Sequence, residues 1–171
     1  MIYIITHKTF QSYVTDQVHY RTLHVGQNQD SDPDYLRDDT GDQISGKNAN
    51  YCELTGLYWI WKNAPDTPDE ITGLVHYRRY FTDRISDLLY TYLHIKPKVI
   101  PYETIQKKLT SADVILPVRE KIFRTVVQSY TDVHNRGDLL LTRKAIELVS
   151  PEYVKTYDQV MNSHAYYYAN M

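Results

Sequence analysis

The segment Gly73-Leu74-Val75-His76-Tyr77-Arg78-Arg79-Tyr80-Phe81 gathers several groups capable of chemistry in a few residues. Two adjacent guanidiniums suit a doubly charged group such as a pyrophosphate, because each offers planar, charge-assisted donors that grip two oxygens at once. Tyr77 and Tyr80 add ring faces on which a sugar or a base could stack. In an extended chain His76 and Arg78 share one face, and Tyr77 and Arg79 share the other. Both arginines therefore reach one ligand only if the backbone turns here. The competing expectation is that one arginine pairs with an acidic loop while the other stays in solvent.

A second constellation runs Asp39-Thr40-Gly41-Asp42-Gln43-Ile44-Ser45-Gly46-Lys47-Asn48. Its carboxylates, hydroxyls and amides are what a loop needs to hold ribose hydroxyls or a pyrimidine edge. The same residue types are also ordinary turn formers. Gly41 and Gly46 match neither of the glycine patterns that cradle phosphates in nucleotide-binding loops. Asp30-Ser31-Asp32 and Asp32-Pro33-Asp34 offer oxygen ligands suited to magnesium or manganese, but neither follows an apolar strand that would hold it rigid. His94, His134 and His164 lack ligand-like spacing, and His19 and His24 read as structural or exposed residues. No Gly-x-Ser-x-Gly is present, which argues against a hydrolase nucleophile elbow. Cys52 is the sole cysteine, so neither an internal disulfide nor a cysteine zinc site can form, and a reducing compartment suits the chain.

The elements that must position these groups follow from the apolar pattern. Ile2 to Thr6 is a compact β-branched and aromatic run, expected to be a buried first strand that delivers His7 and Lys8 at its end. A second strand is expected near Tyr20 to Val25, ending at Gly26. From Gln27 to Asn50 the sequence is polar and acidic, a long functional or mobile loop. Asn50 and Glu53 form an expected capping box, and Tyr51, Leu54, Tyr58 and Trp61 an apolar stripe facing the core of the following helix. Ile71 to Val75 reads as a central strand that delivers the arginine segment. A helix is expected over 101–109, started by Pro101, and a buried strand over Ala112 to Pro117. Val126 to Met161 reads as helix in at least two segments with a break near Ser150-Pro151, and Tyr166 to Tyr168 as the start of another strand. Strands alternating with helices predict an α/β architecture with a mostly parallel sheet flanked by helices. Ligands of such sheets bind beyond the carboxyl ends of the strands, where His7-Lys8, the Asp/Gly loop and His76 to Tyr80 all fall.

Length and composition agree with a single ordered domain: 171 residues, 42% hydrophobic and 23% charged. With 19 basic and 21 acidic residues the formal charge is −2, which argues against nucleic acid as a partner. The 17 tyrosines far outnumber three Phe and two Trp, and serve either a core or a sugar-binding surface. The first apolar run is too short for a signal peptide, and no run approaches the roughly 20 residues a spanning helix needs. The expectation is a cytoplasmic protein, with any membrane association peripheral, at the inner face.

Taken in order and spacing, Thr6-His7-Lys8, Asp39-Thr40-Gly41-Asp42 with Ile44-Ser45 and Lys47-Asn48, Asn50 to Thr55, Tyr58 to Asn63 and Gly73 to Phe81 resemble one family. It is an uncharacterised-domain family of bacterial capsular and exopolysaccharide gene clusters, whose members are commonly described as glycosyltransferases. The resemblance runs the length of the chain. It implies a GT-A-like, Rossmann-like fold in which the first strands build a nucleotide pocket. It also implies donor or nucleotide contacts from His7, Lys8, Asp39, Asp42, Lys47, His76, Tyr77, Arg78 and Arg79. The implied donor is a nucleotide sugar, a UDP-sugar foremost, and the implied acceptor a glycan or lipid-linked glycan.

Many GT-A enzymes place a manganese- or magnesium-binding Asp-x-Asp after a central strand, where this chain has arginines. The expectation is therefore a transferase whose arginines neutralise the leaving diphosphate without a metal, or whose metal ligands lie elsewhere. No general base is assigned. The implied fold is longer than this chain, so a domain incomplete at its C-terminal end is expected. A non-catalytic nucleotide-sugar or glycan-binding module is the alternative.

Overall fold

The structure is a computed structural model and describes all residues except 28–31, 66, 68–69, 84, 86–88, 90–91, 96–97 and 168–171. The chain divides into two compact units, Met1–Ile115 and Leu116–Met171. In the first unit, four strands form a wholly parallel sheet: β1 (Ile2–Thr6), β2 (Tyr20–His24), β3 (Leu36–Arg37) and β4 (Gly73–His76). Their order is β3-β2-β1-β4. The chain thus winds outward on one side of β1 and then crosses to the other. This leaves a reversal of strand order between β1 and β4, where open α/β sheets bind their ligands.

Alternation along β1 sorts the sheet into two faces. Ile2 and Ile4 join Tyr20, Val75, Tyr77, Ile100, Tyr102 and Ile105 in one core, covered by α3 (Tyr102–Leu109). Tyr3 and Ile5 face the other way, toward α2 (Leu54–Asn63). There Trp59 meets the Tyr3 ring edge-on at 6.4 Å, and a Cβ on Gly56 would lie 2.7 Å from Ile5 Cδ1 and 2.8 Å from Val25 Cγ1. Gly56 is thus where the helix backbone rests on the sheet.

Several expectations hold, and others are corrected. The strands at 2–6 and 20–25, the central strand and the helix beginning after Pro101 all form. The polar stretch after Gly26 is not a bare loop: it contains β3, a 3₁₀ turn over Ser45–Lys47 and α1 (Asn48–Tyr51). The Asn50–Glu53 capping box does not form. Asn50 lies within α1, and the Asn48 amide instead donates to Cys52 O at 2.7 Å and Thr55 Oγ1 at 3.0 Å.

The apolar stripe of α2 also fails as a core face. Trp61 is 71% exposed and Tyr51, Leu54 and Leu57 are exposed too, whereas Thr55, Gly56 and Ile60 are buried. Close approach to the sheet selects small side chains, so the glycine and threonine face wins over the bulkier one. Residues 112–117 form no strand. Val114 and Leu116 are exposed, and an apolar run becomes an interior strand only when both of its faces are covered.

The second unit contains β5 (Arg119–Lys121) paired antiparallel with β6 (Ala165–Tyr167), and three helices: α4 (Val126–Thr131), α5 (Arg136–Val149) and α6 (Val154–Met161). A break falls at Ser150-Pro151 as expected. Thr125 and Gln128 supply a reciprocal capping box for α4, and Asn135 caps α5 through Gly137 N–H at 2.8 Å. The expected final strand is β6, and Tyr168 lies outside the described residues. Among the described residues no helix is long and apolar enough to cross a membrane.

Candidate ligand site at the carboxyl edge of the parallel sheet

β1 ends in a turn built by its own last residue. The buried Thr6 hydroxyl donates to Lys8 O at 2.6 Å and accepts from Lys8 N–H at 3.2 Å. This lifts His7 and Lys8 out of the sheet plane into solvent. β4 ends in a tighter turn. His76 N–H donates to Arg79 O at 3.2 Å, and Arg79 N–H donates to His76 O at 2.8 Å. The condition for the two arginines to serve one ligand, a reversal of the chain at this point, is therefore met.

The two strand ends meet at Tyr77. Its ring is buried in the core and receives the His7 ring edge-on at 5.5 Å and Phe10 at 5.5 Å. Lys8 Nζ lies 5.6 Å from the ring centroid and Arg78 Cζ 5.2 Å. The aromatic face holds both cations in place, and among the described residues no carboxylate pairs with Arg78. His76 is only 4% exposed, with Nε2 3.6 Å from Glu53 Oε1. Burial lowers its pKa below the ordinary histidine value, opposed by Glu53 and assisted by Arg78, Arg79 and His7.

Next to this cluster is a cavity of about 380 Å³ lined by His7, Val25, Gly26, Gln27, Ser45, Gly46, Asn48 and Ala49. Its walls are held by Asp38, which is fully buried. Asp38 Oδ1 accepts from Gly26 N–H at 2.9 Å and from Ser45 Oγ at 2.6 Å, tying the end of β2 to the 3₁₀ turn. Gly26 takes φ +84 at that corner, and a Cβ there would lie 2.9 Å from Asn48 Oδ1. The lining is amide, hydroxyl and small apolar groups, with His7 the one titratable member. It suits a neutral polar ring, whereas the Lys8 and Arg78 side suits an anion.

The remaining candidates take other roles. Arg37 holds Asp39 through Nε at 3.1 Å and Nη2 at 2.8 Å, which keeps the Asp39 carboxyl below the usual range. Asp42 is docked on α2: its N–H donates to Asn63 Oδ1 at 3.1 Å, its carbonyl accepts from Asn63 Nδ2 at 2.8 Å, and its carboxylate accepts from Tyr58 OH at 3.0 Å. Trp59 Nε1 donates to Thr40 O at 2.9 Å. Gly41 has φ +63, and a Cβ there would meet Asn63 Oδ1 at 2.1 Å. The Asp39–Asp42 motif and the Tyr58–Asn63 motif are thus two halves of one loop-to-helix clamp. Lys47 is exposed on the 3₁₀ turn and does not line the cavity.

Sequence reasoning placed Ser45 in the loop constellation but assigned no site role to Thr6, Asp38 or Glu53. Asp38 directly follows β3, a two-residue strand that the polar, aspartate-rich stretch does not announce.

As for a metal, the Asp32-Pro33-Asp34 motif folds into a turn in which Asp32 Oδ1 accepts Asp34 N–H at 3.0 Å. The other Asp-x-Asp lies partly outside the described residues. Among the described residues no three His, Cys, Asp or Glu side chains come together as metal ligands. The groups after β4, two guanidiniums and a buried imidazole, do not suit a divalent cation.

A parallel sheet of order 3-2-1-4 with helices on both faces and a polar site at its strand reversal defines a Rossmann-like α/β fold. The chain belongs to the family described as Domain of unknown function (DUF4422), whose model matches residues 1–171. The fold is shared with the apo structure of WbbM, a bifunctional glycosyltransferase, at a TM-score of 0.67 and 24% identity. That match covers 99% of this chain and 32% of WbbM, so the chain spans about a third of that protein's length. No curated protein sequence matches it.

Proposed function

We propose that the chain is the nucleotide-sugar-binding part of a GT-A-like glycosyltransferase acting in bacterial capsular or exopolysaccharide synthesis. The observation that carries this reading is the convergence of Lys8 and Arg78 on the Tyr77 ring at the strand reversal, beside a neutral polar cavity. In this reading the cavity takes the base and ribose of a UDP-sugar, with Gln27 and the Ser45–Asn48 turn as hydrogen-bonding groups. The diphosphate lies over Lys8 and the arginine turn. Transfer breaks the bond between the anomeric carbon and the diphosphate oxygen and forms one to an acceptor hydroxyl. The hydroxyl proton leaves to a general base, and fixed cations stabilise the departing diphosphate where its charge develops. The acceptor is a glycan, free or lipid-linked, and the protein works at the cytoplasmic face of the membrane. Asp39, Asp42 and Lys47 then serve the site by shaping its rim.

The test is titration calorimetry of the chain with uridine diphosphate, with and without manganese. A charge-assisted phosphate contact is worth about 1.5–3 kcal/mol, so Arg78→Ala and Lys8→Ala should each weaken binding roughly 10- to 100-fold. Affinity should not require manganese. Unchanged affinity in both variants, or binding strictly dependent on the metal, would overturn the arginine reading. Binding with no donor hydrolysis or transfer would assign the chain as a non-catalytic module.

A further inference from the structure

His76 belongs to the arginine segment, yet it is buried and its bonds run to the turn itself. Besides the two backbone bonds to Arg79, its ring Nδ1 accepts the Arg78 N–H at 3.2 Å. An acceptor at Nδ1 requires a neutral ring with its proton on Nε2. Nε2 in turn faces Glu53 Oε1 at 3.6 Å, an electrostatic rather than hydrogen-bonded contact. Glu53 stands at the N-cap of α2, and its side chain makes no capping bond to that helix. The carboxylate is directed toward the end of β4 instead.

We propose that His76 is a positioning residue of the phosphate site: through Nδ1 it holds the Arg78 amide, and through Nε2–H it ties the arginine turn to Glu53 at the start of α2. The proposal rests on reading that turn as the phosphate site. The charged and titratable groups facing His76 are Glu53 ahead of α2, Arg78 and Arg79 of its own turn, and His7 from the end of β1. Protonation would place a hydrogen on Nδ1 against the Arg78 N–H and remove the acceptor from the turn. Burial favours the neutral ring, so the turn is set at neutral pH and loosens in acid.

The experiment uses the ¹⁵N-labelled full chain at pH 7.5. Ring nitrogen shifts report the tautomer, hydrogen exchange reports the Arg78 amide, and calorimetry reports uridine diphosphate affinity. His76→Asn keeps an acceptor near the position of Nδ1, whereas His76→Gln places its amide near the position of Nε2. The expected result is a neutral ring with the proton on Nε2 and a protected Arg78 amide. His76→Asn should bind within about threefold of wild type, and His76→Gln should lose about fivefold to tenfold with faster exchange at Arg78.

A proton on Nδ1 at this pH, or equal losses in the two variants, would overturn the positioning role. The ring measurement needs only the wild type, so it stands even if a variant fails to fold. Absence of uridine diphosphate binding by the wild type would overturn the phosphate reading and with it this role. Wild-type binding with a protonated Nδ1 would overturn the positioning role alone.

Discussion

Asp38→Ala is expected to destabilise the first unit more than any other carboxyl deletion among the described residues. Asp38 is fully buried, and its Oδ1 receives both Gly26 N–H at 2.9 Å and Ser45 Oγ at 2.6 Å. Truncation strands two buried donors, each at about 1–3 kcal/mol. Part of that loss is offset, because Asp38 Oδ2 is itself buried without a partner and its desolvation cost disappears with the side chain. The balance is a net loss of about 2–4 kcal/mol. Asp38→Asn retains the Oδ1 acceptor and should cost about 1 kcal/mol, as should Ser45→Ala, which removes one bond.

The assay is urea unfolding followed by tryptophan fluorescence, since both tryptophans, Trp59 and Trp61, lie on α2 in the same unit. Exposed Asp34→Ala is the control. If Asp38→Ala is no more destabilising than Asp34→Ala, the carboxylate is not what joins β2 to the 3₁₀ turn. If it is destabilising while Asp38→Asn is equally so, charge rather than the hydrogen-bond geometry carries the effect.

Two further expectations concern the sheet. Gly56→Val should cost about 1–3 kcal/mol by overpacking, since even a Cβ would stand 2.7 Å from Ile5 Cδ1 and 2.8 Å from Val25 Cγ1. The same urea assay checks it, and a neutral result would mean that α2 can lift off the sheet. His24 is fully buried with neither ring nitrogen hydrogen-bonded. Burial and then Arg37 lower its pKa, against the His7 backbone, Asp38 and Asp39. The unfolded chain therefore binds a proton that the folded one refuses, so stability is full above about pH 6.5 and declines as pH falls toward the folded value. His24→Phe should be neutral or stabilising at pH 7 and should flatten the fall in stability as pH drops below about 6.5; an unchanged slope would clear His24 of the effect.

Much of the fold was legible because its signals are local. The β-branched run at Ile2–Thr6, the helix started by Pro101 and the break at Ser150-Pro151 each depend on a few adjacent residues. The helix at Leu54–Asn63 was also legible, but not its orientation. Hydrophobicity pointed to Leu54, Tyr58 and Trp61 as the buried face, whereas the flat sheet under α2 admits a glycine. Residues 112–117 carry the composition of an interior strand, and whether such a run becomes one depends on neighbours elsewhere in the chain.

The candidate site divides along the same line. From the sequence alone come the parallel α/β pattern, the placement of His7-Lys8 and the arginine segment at strand ends, and the family motifs. Composition and periodicity are properties of neighbouring residues, so these are readable without coordinates. Tertiary structure decided which clusters meet. Strand order puts β4 directly beside β1, and this pairing brings Lys8 and Arg78 to one tyrosine ring. Burial then separates residues of one motif into different tasks: Arg78 reaches solvent, His76 holds the turn, and Asp38, one residue from the paired Asp39, braces the cavity wall. Strand pairing and burial are non-local, set by which segments exclude water together, and no spacing along the chain encodes them.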